Sequence, residues 1–311
     1  MKKIIVLCWV ALVSFVSFAQ NPETWKALEK PLNFFLANDL GRNGYYDQKP
    51  IAELMGKMAE NVDIECVVAA GDVHHFEGVR SVNDPLWMTN YELIYSHPEL
   101  MLPWYPILGN HEYRGNTQAV LDYSHVSARW RMPARYYTQV LENDDITIRL
   151  VMVDTAPLID KYRKDTEKYP DAAMQDMNKQ LAWIDSVLTS AQEDWVLVVG
   201  HHPIYADTDK SKSERADLQK RLDTLLRKHQ NVAMYLCGHI HNFQHIRMKG
   251  SDLDYVVNSS GSLSRKVNPI EGTVFCSDQS GFSLVTADKK ELSLYMFNKQ
   301  GEVLHTVKKK K

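Results

Sequence analysis

Five apolar runs of this chain each end at a polar residue that can bind a metal ion, and this repeated layout constrains the fold more than any other feature. The runs cover residues 32–38, 64–70, 106–108, 195–199 and 232–237. The polar residues that end them are Asp39, Asp72, Asn110, His201, and the pair His239 and His241. Continuous apolar runs are typical of strands that are covered on both faces. Because open α/β sheets bind ligands beyond the carboxyl ends of their strands, we expect these residues to converge at one sheet edge.

The segments between these runs predict helices, so the sequence indicates an α/β fold. Apolar residues recur at helical intervals in residues 49–61, 177–188 and 218–226. After residue 250 the pattern changes to short apolar runs separated by turns, which predicts antiparallel strands. Residues 160–176 are polar and charged, and we expect an exposed loop there. We assign residues 32–308 to a single domain.

The amino-terminal residues have the pattern of a signal peptide. Lys2 and Lys3 precede an apolar run over residues 4–18, and residues 17–19 resemble a small-x-small cleavage site. The run is shorter than the ~20 residues that a membrane span needs, although an uncleaved anchor is the alternative. We therefore predict a signal peptide over residues 1–19, a secreted or periplasmic location, and no stable membrane insertion after cleavage. We expect residues 20–31 to be a linker and residues 309–311 to be a solvated basic tail.

Charge and cysteine content exclude several classes of protein. The formal net charge is −3, so the chain has no basic footprint for nucleic acid. Cys66, Cys237 and Cys276 remain after the predicted cleavage, and no C-x-x-C motif occurs. An odd number of cysteines without that motif indicates neither a disulfide framework nor a thiolate zinc site.

The types of polar residue at the strand ends indicate which metals could bind. Carboxylate, amide oxygen and imidazole together suit iron, zinc or manganese better than calcium. Six or seven ligands are too many for one catalytic ion that must keep open positions, so two ions about 3.5–4 Å apart fit better. The alternative is that these residues are buried polar groups that only satisfy loop hydrogen bonds.

Four sequence blocks resemble the metallophosphoesterase superfamily. They are Gly71-Asp72, Gly109-Asn110-His111-Glu112, Gly200-His201 and Gly238-His239-Ile240-His241. Within the superfamily the chain is most similar to the mammalian-type, tartrate-resistant purple acid phosphatases, and the similarity covers roughly residues 32–308. This resemblance implies a two-sheet α-β-β-α sandwich of the calcineurin-like type with antiparallel carboxy-terminal strands.

The same resemblance implies a role for each strand-end residue. Asp39, Asp72 and His241 would hold the first ion, a trivalent iron. Asp72 would bridge to the second ion, which Asn110, His201 and His239 would also hold. The implied cofactors are two ions per chain, iron with iron, zinc or manganese. His111 would contact the phosphate and serve the leaving group, and Glu112 would orient His111.

The chain departs from this family at two positions. The family has a tyrosinate three residues after the bridging aspartate, which gives the purple colour, and His75 stands there in this chain. We expect His75 to be a metal ligand, with His74 or a water as the alternative. The family's additional histidine before the 218–226 helix is also missing. His202 could supply the lost phosphate contact or could make a structural hydrogen bond.

Together these residues predict a secreted binuclear metal-dependent acid phosphatase that hydrolyses phosphate monoesters. In this hypothesis a metal-bound hydroxide attacks phosphorus in line, and His111 protonates the leaving oxygen. The expected partners are small phosphorylated substrates or phosphoproteins. One alternative is a phosphodiesterase or nucleotide hydrolase of the same superfamily. The other is a secreted metal- or phosphate-binding protein with little turnover.

Overall fold

The computed structural model describes residues 22–143 and 145–311. The helices are α1 Pro22–Lys26, α2 Gln48–Ala59, α3 Thr117–Asp122, α4 Asp160–Lys164, α5 Met177–Ser190, α6 Lys212–Leu218 and α7 Thr224–Leu226. The strands are β1 Leu32–Ala37, β2 Cys66–Ala69, β3 Trp104–Pro106, β4 Tyr137–Asn143, β5 Ile146–Met152, β6 Trp195–Val199, β7 Val232–Cys237, β8 Phe243–Arg247, β9 Asp254–Val257, β10 Thr273–Ser277, β11 Gly281–Ala287, β12 Glu291–Asn298 and β13 Val303–Lys310. Short 3₁₀ or π turns link several of them.

These strands form two sheets over the described part of the chain. The first has the order β13-β12-β11-β1-β2-β3, and the second has the order β10-β8-β9-β7-β6-β5-β4. Strands β1, β2 and β3 are parallel, whereas β11, β12 and β13 are antiparallel. In the second sheet β5, β6, β7 and β9 are parallel. The predicted two-sheet α/β fold with an antiparallel carboxy-terminal part is confirmed.

The apolar strands lie in one continuous hydrophobic core. Every residue of β1 and of β6 is buried, as expected for strands that are covered on both faces. Helix α2 buries Ile51, Met55 and Met58 against this core. Burial of such side chains contributes about 1.5–3 kcal/mol each, so the strand ends project from a rigid base.

The strands that were missed have a weak or interrupted apolar signal: β4 and β10 lie at sheet edges, whereas β8 lies inside its sheet and contains the buried polar residues Gln244 and His245. The third apolar run was expected at residues 106–108, but the strand is Trp104–Pro106. Three strands were not predicted at all: β4, β8 and β10. Strand β4 is mostly half-buried, and β10 is half-buried or exposed throughout, so neither needs a continuous apolar run. Residues 160–176 are not simply an exposed loop, because they include α4 and the buried side chains of Tyr162 and Tyr169.

Both predicted flanking segments are partly packed into the fold. Within the expected linker 20–31, Trp25 of α1 is buried, and its Nε1 donates to the carbonyl of Gly301 at 3.4 Å. The expected basic tail is wrong, because Lys308, Lys309 and Lys310 belong to β13, which pairs with β12. Their charges hid the last three residues of this strand from the hydropathy pattern. The predicted signal peptide lies outside the described residues. Among the described helices, none has the length and apolarity needed to cross a bilayer.

Lysine from this last strand pairs with a buried carboxylate. Asp254 is fully buried, and its carboxylate contacts His245 Nε2 at 2.8 Å, Arg247 Nε at 2.8 Å and Lys309 Nζ at 2.7 Å. Burial raises the pKa of Asp254, but the hydrogen bonds from His245 and Lys309 bring it below the ordinary value. The carboxylate is therefore charged at neutral pH, and it links the two sheets.

Replacing Asp254 with asparagine should lower the free energy of unfolding by about 1.5–3 kcal/mol at pH 7, because the hydrogen bonds from His245, Arg247 and Lys309 lose their charged acceptor. Since the folded-state pKa is depressed, the wild-type advantage is present above about pH 4 and disappears as pH falls through the folded-state pKa. Urea unfolding at several pH values measures both effects. The exposed Asp278→Asn variant is the control, and equal stability of the two variants at pH 7 would show that the cluster is unimportant.

Candidate metal centre

The carboxyl ends of strands from both sheets meet at one place. Asp39, Asp72 and Asn110 follow β1, β2 and β3 of the first sheet, and His201 and His239 follow β6 and β7 of the second. The backbone N–H of His239 donates to Asp39 Oδ2 at 2.8 Å, so the two sets of strand ends are in direct contact. The structure thus brings the predicted residues together.

Asp72 lies at the centre of this cluster. Its Oδ1 accepts a hydrogen bond from the His111 backbone N–H at 2.9 Å. Its Oδ2 lies 3.1 Å from His201 Nε2, 3.5 Å from His75 Nε2 and 3.8 Å from His111 Nε2. Burial raises the pKa of Asp72, but His201 and His111 hold it well below the ordinary value. A carboxylate oxygen shared among several imidazoles has the position of a bridging ligand.

Backbone carbonyls orient two of the histidines. His201 Nδ1 donates to the Ala70 carbonyl at 2.8 Å, and His241 Nδ1 donates to the Leu263 carbonyl at 2.9 Å. Each Nε2 is therefore left to face a carboxylate, as metal-ligating histidines require. Burial lowers the pKa of His201, but the opposite effect of the Asp72 carboxylate is larger, and together they raise the pKa to about 9. The space between these two side chains therefore favours a positive charge.

A second group of ligands surrounds Asp39. Its Oδ2 accepts from His239 N at 2.8 Å and from Asn38 Nδ2 at 2.7 Å, whereas Oδ1 lies 3.1 Å from His241 Nε2. Asp39, His75 and His241 offer ligand atoms that all lie within 4.8 Å of one another. Asp39, Asp72 and His201 form another such group, so the ligands around Asp39 lie next to the ligands around Asp72.

The geometry favours His75 over His74 as the residue that replaces the family tyrosine. His75 belongs to two groups of potential ligands, one with Asp72 and one with Asp39. The ring of His74 instead packs against Trp87 at a centroid distance of 4.4 Å, and burial lowers its pKa to about 3. His74 is therefore a neutral core residue that points away from the cluster.

Two residues that the sequence did not indicate contact His239. The buried Glu214 of α6 lies 3.2 Å from His239 Nε2, which leaves Nδ1 to face His201 Nε2 at 3.2 Å. Lys210 Nζ donates to the His239 carbonyl at 2.8 Å and lies 3.2 Å from Nδ1. Burial lowers the pKa of Lys210 to about 8. Neither residue belongs to a strand-end block, so no sequence signal marked them.

Glu214→Gln should weaken metal binding at the His239 side by about 10–100-fold, the usual effect of losing a carboxylate that orients a metal-ligating histidine. Competition with a chromogenic chelator measures the affinity. The exposed Glu271→Gln variant should bind metal like the wild type. Unchanged affinity in Glu214→Gln would mean that this carboxylate does not orient His239.

The contacts of Glu112 differ from those predicted. Glu112 does not reach the His111 ring. Its Oε2 accepts from Asp72 N at 2.9 Å and from Gly109 N at 2.7 Å, and its Oε1 accepts from His74 N at 3.0 Å. A buried carboxylate is best satisfied by several backbone donors, and here these donors join two of the ligand loops. Burial raises the pKa of Glu112 to about 7.

His111 is oriented by the carbonyl of Phe76 instead. Its Nδ1 donates to that oxygen at 2.5 Å, and its Nε2 is directed towards Asp72. The preceding residue, Asn110, has a buried side-chain oxygen without a hydrogen-bond partner among the described residues. His111 is thus placed beside the carboxylate cluster with one ring nitrogen free for a proton transfer.

His202 is fully buried beside the same cluster. Its Nδ1 lies 2.8 Å from Thr155 Oγ1, and its ring centroid lies 4.4 Å from that of His239. Together with His201 and His239 it forms a group of potential ligands. Burial lowers its pKa well below the ordinary value. Of the two roles expected for His202, the structural hydrogen bond is present in the contact with Thr155. The phosphate contact stays a prediction.

The backbone at the ligands adopts a conformation that side chains other than glycine rarely take. Asp39, Asp72, His239 and His241 have φ values of 52°, 53°, 75° and 61°. Such residues cost about 1–3 kcal/mol each and cluster at functional sites. A side chain on Gly238 would lie 2.6 Å from Asp39 Oδ2, so this glycine is needed for the close approach.

The described residues fit a pair of metal ions. Several buried atoms at the cluster have no hydrogen-bond partner within the described part of the chain: Asp39 Oδ1, Asp72 Oδ2, Asn110 Oδ1, and both ring nitrogens of His75. Unsatisfied buried polar atoms are costly, and all of these atoms are of the kinds that bind metal ions. Imidazole, carboxylate and amide donors suit iron, zinc or manganese.

Sequence comparison identifies the family. Residues 32–243 match the calcineurin-like phosphoesterase family, so the chain belongs to it. Purple acid phosphatase 3 of Arabidopsis thaliana is 31% identical over 318 residues, covering 96% of this chain and 84% of that protein. Tartrate-resistant acid phosphatase type 5 of Sus scrofa is 30% identical, covering 83% and 79% respectively. The chain is therefore a metallophosphatase, as the sequence predicted.

Solved structures agree on the fold. GAP50, described as the anchor in the inner membrane complex of Plasmodium, superposes with a TM-score of 0.75 at 23% identity, covering 90% of this chain and 88% of that one. A dimetal phosphatase from Danio rerio gives a TM-score of 0.60 at 16% identity, covering 91% and 99%. The purple acid phosphatase relatives imply a dimetal centre, and the clustered Asp and His side chains are able to bind metal.

Proposed function

We propose that this protein is a secreted or periplasmic acid phosphatase that uses two metal ions to hydrolyse phosphate monoesters. The observation that carries this proposal is the position of Asp72 Oδ2, which lies within 4 Å of His201, His75 and His111. One carboxylate oxygen thus adjoins two groups of ligands and the proposed proton donor. Export is supported by the apolar run over residues 4–18.

Each metal position would be held by a different set of residues. Asp39, His75 and His241 would hold the first ion, an iron, and Asn110, His201 and His239 would hold the second, an iron, zinc or manganese. Asp72 would belong to both. Bound metal ions would neutralise phosphate oxygens and acidify a water molecule for attack at phosphorus.

The remaining residues would act on the phosphate and its leaving group. His111 Nδ1 donates to the Phe76 carbonyl, so Nε2 is the ring nitrogen that would take up a second proton. Burial lowers the pKa of His111, so this charged form would be favoured at acidic pH. From Nε2 this proton would be given to the departing oxygen, which is general acid catalysis. The ammonium of Lys210, next to His239, would add a positive charge for the phosphate oxygens. Small phosphate esters and phosphoproteins present the same phosphate group to these residues, so both are proposed as substrates.

Hydrolysis of 4-nitrophenyl phosphate and of bis(4-nitrophenyl) phosphate at acidic and neutral pH, with iron, zinc and manganese added, tests the proposal. We expect turnover of the monoester to exceed that of the diester. Faster cleavage of the diester would indicate a phosphodiesterase. Binding of phosphate without turnover of either ester would indicate a binding protein.

The His75 position gives a spectroscopic prediction. The family's colour is charge transfer from a tyrosinate to Fe(III), and this chain has an imidazole at that position. The protein loaded with Fe(III) should therefore lack the visible band, and His75→Tyr should gain it. An absorption spectrum measures this, with His74→Tyr as the matched control that stays colourless. A purple wild-type protein, or a colourless His75→Tyr variant that binds iron, would contradict the assignment of His75.

A further inference from the structure

Asn38 immediately precedes the proposed metal ligand Asp39 and contacts its carboxylate. Both residues are fully buried. Asn38 Nδ2 donates to Asp39 Oδ2 at 2.7 Å, and the backbone N–H of His239 donates to the same oxygen at 2.8 Å. Asp39 Oδ1 has no hydrogen-bond partner among the described residues and lies 3.1 Å from His241 Nε2. Two donors thus occupy one oxygen of this carboxylate, and the other oxygen is the one available to a metal ion.

A chain of buried hydrogen bonds that begins at strand β11 holds the side chain of Asn38. Ser283 Oγ donates to Asn258 Oδ1 at 2.7 Å, and Asn258 Nδ2 donates to Asn38 Oδ1 at 2.6 Å. Both Asn258 and Ser283 are fully buried. An ionised carboxylate only accepts hydrogen bonds, so the Asn38 amide must turn its nitrogen towards Asp39 and its oxygen towards Asn258. The charge of Asp39 therefore sets the direction of every hydrogen bond in this chain.

The Asn38 amide is also closely packed on its other sides. Its Nδ2 lies 3.2 Å from the carbonyl oxygens of both Asn258 and Ser259, so the second hydrogen of the amide has acceptors as well. A Cβ on Gly238 would lie only 2.3 Å from Asn38 Nδ2. The amide therefore fills its space and uses both of its hydrogens in one orientation.

Other groups hold the backbone of Asp39. Ser260 Oγ and Ser262 Oγ each donate to its carbonyl at 2.8 Å, and its own N–H donates to the Gly71 carbonyl at 2.9 Å. Loss of the Asn38 amide should therefore leave this backbone in place and free only the side-chain torsions of Asp39.

We propose that Asn38 is a positioning residue for the first metal ion, because it holds Asp39 so that Oδ1 rather than Oδ2 is presented to the metal. Hydrogen bonds that orient metal ligands typically change metal affinity or activity 10–100-fold. Asn258 and Ser283 would act through Asn38, so strand β11, which carries none of the proposed ligands, contributes to the metal centre. This inference rests on the two-ion centre of the proposed function.

Zinc binding to the metal-free protein, measured by competition with a chromogenic chelator, tests the proposal. The wild type should bind two zinc ions in two steps. Asn38→Ala should weaken one step about 10–100-fold and leave the other within about threefold. The weakened step should differ from the one that Glu214→Gln weakens, because Glu214 contacts a ligand of the second ion.

A second buried asparagine of the same strand is the matched control. Asn33 lies at the opposite end of β1, where its Nδ2 donates to the carbonyls of Lys30 at 2.7 Å and of Asp63 at 3.0 Å. Asn33→Ala removes buried hydrogen bonds as Asn38→Ala does, but both zinc ions should bind with wild-type affinity. Weaker zinc binding in both variants alike would show a general effect on folding and would overturn the proposal.

A double-variant cycle tests whether Asn258 acts through Asn38. Asn258→Ala should weaken the same zinc step, and the double variant should bind zinc no more weakly than Asn38→Ala alone. Ser283→Ala removes a single hydroxyl, which the fold should tolerate, and should weaken that step about two- to tenfold, the size of one hydrogen bond. Additive losses in the double variant, or unchanged zinc affinity in Asn38→Ala and Ser283→Ala, would overturn the proposal.

The zinc stoichiometry of the wild type separates this proposal from the proposed function. Two ions in the wild type with unchanged affinity in Asn38→Ala would refute only the positioning role. One ion would refute the two-ion centre, and weaker binding of that ion in Asn38→Ala but not in Asn33→Ala would still support the positioning of Asp39. A wild type that binds no zinc would refute both.

Discussion

Asp72→Asn should lower the metal content from two ions per chain to at most one and reduce kcat/KM for phosphate monoesters by at least about 10³-fold. The reason is the position of Asp72 Oδ2, which faces His201 on one side and His75 on the other. Metal ions contribute several kcal/mol to phosphoryl transfer, and each 1.4 kcal/mol is a factor of ten in rate. Elemental analysis and steady-state kinetics of the same preparation measure both quantities.

A matched carboxylate outside the site controls for an effect on folding. The Asp84 carboxylate accepts hydrogen bonds from the backbone N–H and the Nε of Arg80 and does not contact the ligand cluster. Metal content and kcat of Asp84→Asn should therefore stay near the wild-type values. If Asp72→Asn retained two ions and full activity, Asp72 could not be the shared ligand.

His111→Ala should reduce kcat for an alkyl phosphate by about 10²–10⁴-fold, the usual contribution of a general acid. The effect should be much smaller for 4-nitrophenyl phosphate, because nitrophenolate leaves without a proton. This difference follows from the orientation of His111, whose Nδ1 is held by the Phe76 carbonyl while Nε2 faces the cluster.

Metal content distinguishes a lost proton donor from a damaged site. His111→Ala should retain two ions, and the exposed His125→Ala variant should retain both metal and activity. Equal rate losses for the alkyl and the nitrophenyl ester would show that His111 binds phosphate without donating a proton. Full activity towards the alkyl ester would remove His111 from the mechanism.

The sequence predicted the parts of this protein that depend on hydrophobic runs and their ends. A strand that is buried on both faces must be apolar throughout, so β1, β6 and β7 were visible, and so were the ligands that follow them. The parallel arrangement of such strands places their carboxyl ends together, which is why Asp39, Asp72 and His201 meet as expected.

Contacts between segments far apart in the chain could not be predicted in the same way. Glu214 reaches His239 from helix α6, and in the sequence it resembles any charged residue on a helix face. Glu112 follows His111 directly, but its carboxylate turns to backbone donors of other loops. The lysines of β13 resembled a solvated tail because strand pairing, rather than hydropathy, holds them in place.

The binuclear site is tested most directly by the metal content of wild-type protein purified without chelators, measured beside its activity on a phosphate monoester. We expect about two ions per chain, with iron as one of them, and loss of activity when a chelator removes them. Re-addition of iron with zinc or manganese should restore turnover. Active protein that contains one ion or none would contradict the binuclear centre built around Asp72.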